Sequence, residues 1–349
     1  MRVFRGTRPA ALPRMAPGAA VTIGTFDGVH RGHQAMLALL ASEASHRGLP
    51  SAVVTFEPHP RDWFARRAGT QEAAPRRIGT LRDKLSELAR CGVDQAMVIR
   101  FDERLASLSP EAFVDEVLVG GFGARYVLVG DDFRFGARRA GDYARLDALG
   151  GSRGFDVARM LSYEVHGVRV SSSALRAALA AGDMAAAEAL LGRPYGVSGH
   201  VLHGARLGRM LGRTLDPTGA ERDDGFRTLN LRFPHPRPAA SGIFVARVHG
   251  LGPQPLDAVA SFGTRPTVDD SGRVLLETHV LDWPEALGAE GGYGRLVRVD
   301  LLAKLRDEAR YDTLAALADA IGADVADARA WFARSGLSAR DTTRDRIRP

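Results

Sequence analysis

The chain has 349 residues, 45% apolar and 25% charged, with a formal net charge of +6. This is the make-up of a globular protein, and the length exceeds what one compact core usually holds, so two domains are expected. The one cysteine, Cys91, excludes an intrachain disulfide, and no run approaches the roughly 20 apolar residues of a membrane-spanning helix. Lys84 and Lys304 are the only lysines. The arginines are spread along the chain without an aromatic-interleaved basic stripe, so a nucleic-acid-binding or regulatory role ranks lowest. Pro9, Pro13 and Pro17 interrupt the apolar run a leader would need, which points to a cytoplasmic location.

In chain order, strand-like apolar runs over 20–26, 52–56, 96–101, 126–130 and 157–161 alternate with helical patterns over about 34–47, 80–90 and 110–119. Alternation of this kind predicts a parallel sheet covered on both faces, with ligands at the carboxyl ends of its strands. An alanine-rich helical stretch over 172–191 breaks near Gly182-Asp183 and is closed by Gly192-Arg193-Pro194. Short alternating runs at 196–202, 228–233, 242–248, 258–262, 275–283 and 296–301 then predict an antiparallel barrel or sandwich. Two helical patterns, about 313–321 and 325–335, close it. The fold class expected is α/β plus β. A parallel-sheet domain spans 1–193, an antiparallel β-barrel with closing helices spans 194–335, and a basic tail spans 336–349.

Residues 24–33 read Gly24-Thr25-Phe26-Asp27-Gly28-Val29-His30-Arg31-Gly32-His33, between an apolar run and a helical pattern. A strand, a tight turn and a helix N-terminus present unpaired N–H groups and a positive dipole end, which suit a phosphate. Glycines let the backbone approach the anion. Two histidines three apart also fit a metal site or an ordinary helix start. No cysteine pair or His-Glu-x-x-His signature supports zinc.

The segment resembles the Gly-x-Phe-Asp-Gly-x-His-x-Gly-His motif of the adenylyl- and cytidylyltransferase superfamily. Phe56-Glu57-Pro58-His59-Pro60, the run Val129 to Gly136 followed by Gly141-Asp142, and Val170-Ser171-Ser172-Ser173-Ala174-Leu175-Arg176 narrow the resemblance to bifunctional bacterial riboflavin kinase/FAD synthetases. The resemblance implies a Rossmann-like nucleotidyltransferase that joins FMN to the α-phosphate of ATP. It implies ATP contacts from Gly24, Phe26, Asp27, Gly32, Ser171, Ser172 and Ser173. Catalysis would rest on His30, His33 and Arg176, with Arg176 holding the departing pyrophosphate. Flavin contacts would come from Asp132, Phe133, Phe135 and His59. Phenylalanines at alternate positions also fit a core, and His59 equally fits a turn.

The second half resembles the same family's kinase. Its Gly-Arg-x-x-Gly-Phe-Pro-Thr-Ala-Asn segment has counterparts in Gly208-Arg209 and, after a polar insertion over about 214–224, in Gly225-Phe226-Arg227-Thr228-Leu229-Asn230. Arg227 stands where proline is usual and Leu229 where alanine is usual. The runs Ser241 to Val245, Ser261 to Thr267, Leu276 to Trp283 and Leu305-Arg306-Asp307-Glu308 with Tyr311 extend the resemblance to about 335. It implies ATP contacts at Gly208 and Arg209, Mg2+ and ATP at Thr228 and Asn230, Glu277 as the base and Arg306 toward the flavin. A hydroxyl and an amide two apart on a strand point the same way, so both can reach one hard cation. Riboflavin, FMN and ATP are the implied partners, Mg2+ the cofactor, FMN and FAD the products. The alternative is an FAD synthetase whose second domain binds flavin without kinase activity.

Overall fold

The computed structural model describes residues 1–6, 18–165, 167–203, 228–264, 273–288 and 290–336, with backbone alone at 168, 213–215 and 221–223. The chain divides into two compact units, Met1–Pro75 with Asp83–Ala174, and Arg76–Arg82 with Leu175–Pro349. No helix among the described residues is long and apolar enough to cross a membrane.

The first unit is built on six parallel strands, β1 (Arg2–Gly6), β2 (Ala19–Ile23), β3 (Ser51–Glu57), β4 (Gln95–Arg100), β5 (Ala124–Gly130) and β6 (Asp156–Met160). Their spatial order is β1-β4-β3-β2-β5-β6, every neighbouring pair parallel. Strand β2 is buried at every position and β3 at all but its last, as expected where helices cover both faces. The helices are α1 (Arg31–His46), α2 (Pro60–Arg67), α3 (Leu81–Arg90), α4 (Glu103–Ala106), α5 (Pro110–Phe113) and α6 (Tyr143–Arg153). Helix α1 buries Leu37, Leu40 and Ala44, one stripe at helical spacing. The strand order reverses between β2 and β5, which places the ligand crevice at their carboxyl ends.

Three differences from the sequence reading have local causes. The expected helix over 110–119 is α5 running into a π-helical stretch, Val114–Phe122, that stops at Gly123 with φ of 56°. Helix α2 escaped notice because Ala65 is its only buried residue. Strand β1 escaped because it is a mostly exposed edge.

A small hairpin, β7 (Glu164–Val165) with β8 (Val168–Arg169), precedes α7 (Ser172–Ala181) and α8 (Met184–Leu191). The second unit continues with β9 (Tyr195–His200), β10 (Arg213–Leu215), β11 (Glu221–Asp223), β12 (Thr228–Phe233), β13 (Gly242–His249), β14 (Leu256–Thr264), β15 (Val274–Val280) and β16 (Leu296–Arg306). Six of these form an antiparallel sheet in the order β12-β15-β14-β13-β16-β9. The Leu202 N–H donates to the Asn230 carbonyl at 2.8 Å and joins the two edges. This one bridge makes the barrel nearly closed. Residues 76–82 add an extended segment: the Arg77 N–H donates to the Arg237 carbonyl, and the Tyr195 hydroxyl to that of Ile78.

Inside the barrel, Leu229, Leu231 and Phe233 of β12 meet Leu276 and Val280 of β15, while Asn230 and Glu277 alternate to the outer face. Helix α9 (Leu314–Ser335) covers part of that outer face, where Val325, Ala328 and Phe332 pack with Ile243, Val245 and Val259. One helix replaces the two expected. Gly322 sits within it, and the ~1 kcal/mol cost of a mid-helix glycine is offset by this packing. Within the insertion, β10 pairs with β11. Gly208, Arg209 and Arg227 lie outside the described residues.

Candidate functional site

In the first unit, the loop after β2 carries the histidine motif to the switch point. Within four residues it holds three left-handed positions, Phe26 (φ 47°), Gly28 (φ 89°) and Val29 (φ 41°). A β-branched residue in that region is strained and persists only where its surroundings impose it. Phe26 and Val29 are 1% exposed and packed with Leu37 and Val53. Space at Gly24 is tight: a Cβ there would lie 3.0 Å from the Phe26 ring.

His30 caps α1: its Nδ1 accepts from the His33 N–H at 3.3 Å. The two imidazoles stack with centroids 3.7 Å apart and 14° between planes. His33 also leans on Phe26, 5.0 Å between ring centroids. His30 is buried and His33 half-buried, so the pair forms a ledge with one ring behind the other. No acidic residue occupies the first turn of α1, which preserves the positive end of the helix for an anion.

A second helix opens at the same place. The Ser171 Oγ accepts from the Ala174 N–H at 3.1 Å, and the Ser172 hydroxyl donates to the Asp27 carbonyl at 3.1 Å. A side chain at Gly32 would meet His30 Nδ1 at 3.3 Å and the Val170 carbonyl at 3.4 Å. Gly32 thus sits where the starts of α1 and α7 lie close together. The loop is anchored from below by the Thr55 hydroxyl, which donates to the Thr25 carbonyl at 3.2 Å, while Lys84 Nζ donates to Thr55 Oγ1 at 3.2 Å. Sequence reading passed over Lys84, although a lone buried lysine in a chain whose other cations are nearly all arginine is a legible signal. Arg176 donates through Nε to the Arg76 carbonyl at 2.7 Å.

The residues read as flavin contacts divide. Asp132 is exposed and Phe133 half-buried on the loop after β5. Phe135 is 6% exposed, sits in the main core with Phe113, and fills the space that a side chain at Gly141 would need. His59 caps α2, its Nδ1 accepting from the Arg61 N–H at 3.1 Å. Asp131, next to Asp132 in the chain, is tied by the Ser162 hydroxyl and Arg169, which hold its carboxyl below the usual range. Sequence reading missed a cavity of 320 Å³ at the ends of β3 and β4, lined by Pro58, Trp63, Arg66, Arg67, Arg100, Phe101 and Asp102. Its aromatic lining, Trp63 and Phe101, belongs to an edge-on cluster with Phe56 and Phe64.

In the second unit, register builds the site. Asn230 of β12 faces Glu277 of β15, which faces Ser261 of β14. The next row on the same face pairs Thr228 with His279. Thr228, Asn230 and Glu277 thus lie side by side on the outer face of the barrel, beside the part that α9 covers. The Asn230 Nδ2 donates to the Thr228 carbonyl at 3.4 Å, turning the amide oxygen the other way. Arg306 does not lie open: its Nε and Nη2 donate to the two oxygens of Asp324 at 2.8 and 2.7 Å, tying β16 to α9.

A helix-mouth histidine ledge at the switch point of a parallel sheet, joined in one chain to a closed antiparallel barrel, defines a two-unit phosphate-transferring enzyme. Residues 12–174 match the FAD synthetase family and residues 191–332 the riboflavin kinase family. A bifunctional riboflavin kinase/FMN adenylyltransferase of Escherichia coli K12 is 42% identical over 334 residues, covering 95% of this chain and 98% of that one. One from Pseudomonas fluorescens is 43% identical over 318 residues, covering 91% and 94%. A solved Streptococcus pneumoniae structure, described as a macrolide-efflux protein, superposes with a TM-score of 0.70 at 25% identity, covering 95% of this chain and all of that one. The chain belongs to the bifunctional riboflavin kinase/FMN adenylyltransferase family.

Proposed function

We propose that adenylylation of FMN to FAD is carried by the His30/His33 ledge and phosphorylation of riboflavin to FMN by the Thr228/Asn230/Glu277 face. In adenylylation, a phosphate oxygen of FMN bonds to the α-phosphorus of ATP as the bond from that phosphorus to the pyrophosphate oxygen breaks. The enzyme supplies no nucleophile, so position and charge carry the rate. His30 and His33 donate to α-phosphoryl and bridging oxygens, assisted by the opening turns of α1 and α7. Arg176 takes the departing pyrophosphate. The aromatic and arginine-lined cavity by Pro58 supplies a flat wall and cations suited to a flavin ring and its phosphate, a better fit than the buried Phe135.

In phosphorylation, Glu277 takes the proton of the ribityl 5′-hydroxyl as its oxygen bonds to the γ-phosphorus and the bond to the ADP oxygen breaks. The Thr228 hydroxyl and Asn230 amide are hard oxygen donors on one face. Such a set would hold a Mg2+ ion that keeps waters and phosphate oxygens in its shell. When bound, that ion neutralises charge on the triphosphate.

The observation that carries the adenylylation assignment is the stacked, helix-capping histidine pair. Chromatography of the flavins formed from riboflavin and from FMN, with ATP and magnesium, tests the division of labour. His33→Ala that accumulates FMN without FAD supports it, and near-normal FAD from that variant rejects it.

A further inference from the structure

Arg76, Arg77 and Ile78 form a short extended strap that belongs to the second compact unit. An extended backbone turns the polar groups of successive residues to opposite edges. One edge pairs with the connection between β12 and β13: the Arg77 N–H donates to the Arg237 carbonyl, and the Arg77 carbonyl accepts from the Ala239 N–H, both at 2.8 Å. The other edge therefore presents the Arg76 and Ile78 carbonyls side by side, and a side chain meets each. Arg176 of α7 donates through Nε to the first at 2.7 Å. Tyr195, which opens β9, donates through its hydroxyl to the second at 2.8 Å. Ile78 and Tyr195 are both buried, whereas Arg176 is half-buried. On α7, Ser172 and Arg176 are four apart and share a helix face, and the Ser172 hydroxyl donates to the carbonyl of Asp27 in the histidine loop.

We propose that Tyr195 is a positioning residue for adenylyl transfer: by holding the Ile78 carbonyl it fixes the strap edge whose Arg76 carbonyl orients the Arg176 guanidinium toward pyrophosphate. The proposal rests on the reading of Arg176 as the group that takes pyrophosphate. A guanidinium is a planar fork of five donors, so a partner at Nε sets the plane in which the rest of the fork lies. A fork already held in its plane meets a phosphate with less ordering left to do. Without the Tyr195 hydroxyl, the Ile78 carbonyl loses a donor in a buried place, and the strap shifts to find another. Arg77 stays paired on both of its backbone groups and acts as the pivot, so the Arg76 carbonyl and the guanidinium on it move too. The loss falls on the ligand that the fork meets. Tyr195 itself acts through Arg176, since its hydroxyl is committed to Ile78.

The test is the reverse reaction of the full chain. A pyrophosphate oxygen bonds to the adenylyl phosphorus of FAD as the bond from that phosphorus to the FMN phosphate oxygen breaks, giving ATP and FMN. KM for pyrophosphate and KM for FAD are measured for wild type, Tyr195→Phe, Arg176→Ala and the double variant, with riboflavin phosphorylation as the control for folding. Tyr195→Phe is expected to raise KM for pyrophosphate roughly 3- to 10-fold, the range of a single hydrogen bond, and to leave KM for FAD unchanged. Arg176→Ala is expected to raise KM for pyrophosphate by roughly 10-fold or more. Adding Tyr195→Phe to Arg176→Ala is expected to change nothing further, because the group through which Tyr195 acts is gone. If phosphorylation falls as well, the double variant still decides, since general loosening adds to the loss of Arg176 and an effect through Arg176 does not. A Tyr195→Phe effect that adds, or that raises both KM values together, overturns the proposal. An unchanged pyrophosphate KM in Tyr195→Phe overturns it while leaving Arg176 as read. An unchanged pyrophosphate KM in Arg176→Ala overturns the reading of Arg176 and the proposal with it.

Discussion

Asn230 and Glu277 face each other directly across β12 and β15, so an amide that can reach a cation and a carboxylate that can take a proton share one spot on the barrel. Glu277→Gln preserves shape and removes the proposed base. Riboflavin phosphorylation is expected to fall about 10²- to 10⁴-fold, with FAD formation from supplied FMN unchanged. Steady-state rates from the two flavins, measured on one preparation, check both halves.

His33→Ala removes the outer ring of the imidazole stack and keeps the helix cap, because the cap acceptor is His30. Adenylylation is expected to drop at least 10²-fold with no loss of thermal stability. His30→Ala removes the cap as well and is expected to cost about 1 kcal/mol of stability besides. A melting curve that does not distinguish the two variants contradicts the capping role.

Removal of divalent cations by a chelator is expected to stop both reactions, and restored magnesium to restart them. Thr228→Ala and Asn230→Ala are each expected to raise the magnesium concentration at half-maximal kinase rate by about 10-fold. The magnesium dependence of adenylylation serves as the internal comparison and is expected to stay put.

The first-unit motif was legible because its residues are contiguous: one loop carries the turn, the glycines and both histidines. Glu277 with Thr228 and Asn230 was reached only through likeness to a family, since nearly 50 positions of chain separate residues that register places side by side. Glu308 was legible as a residue and not as a neighbour of β14. Its carboxyl lies where a Cβ at Gly263 would be in its way, a seat that depends on a strand end returning over Gly263, and neither periodicity nor spacing encodes that return. The Phe133-x-Phe135 pair shows the converse: an aromatic alternation reads equally as ligand wall or core, and burial assigns Phe135 to the core. Arg306 likewise reads as an open cation until Asp324, on a helix 18 positions later, is seen to hold it.

Burial first, and then the charge of Glu277, raise the Glu308 carboxyl, and this marks stability. Its folded value, about 7, exceeds the ordinary 4.5, so its contribution is fully present below about pH 4.5 and is lost as pH rises toward 7. Glu308→Gln is expected to be the more stable form at pH 8, by about 1 kcal/mol after allowing for solvent screening of a half-exposed group. The difference is expected to shrink below pH 5. Urea unfolding at pH 5 and 8 measures it, and an equal difference at both refutes it.

Arg306 and Asp324 fasten α9 to the end of β16 by two parallel hydrogen bonds. Asp324 is 5% exposed, whereas the Arg306 side chain is 30% exposed, so Asp324→Ala is expected to cost about 1–3 kcal/mol, less than removal of one partner from a fully buried pair. Calorimetry is expected to show the loss in the barrel unit alone.

Because the histidine ledge and the Glu277 face belong to separate compact units of one polypeptide, the proposed assignment predicts that a lesion confined to either site leaves the other activity. Two defective copies, one lacking the imidazole and the other the carboxylate, would together make FAD from riboflavin in a single vessel, the first exporting FMN to the second. Damage to this protein is therefore of two mutually correcting kinds, and a genetic screen would sort its mutants into two complementation groups within one reading frame.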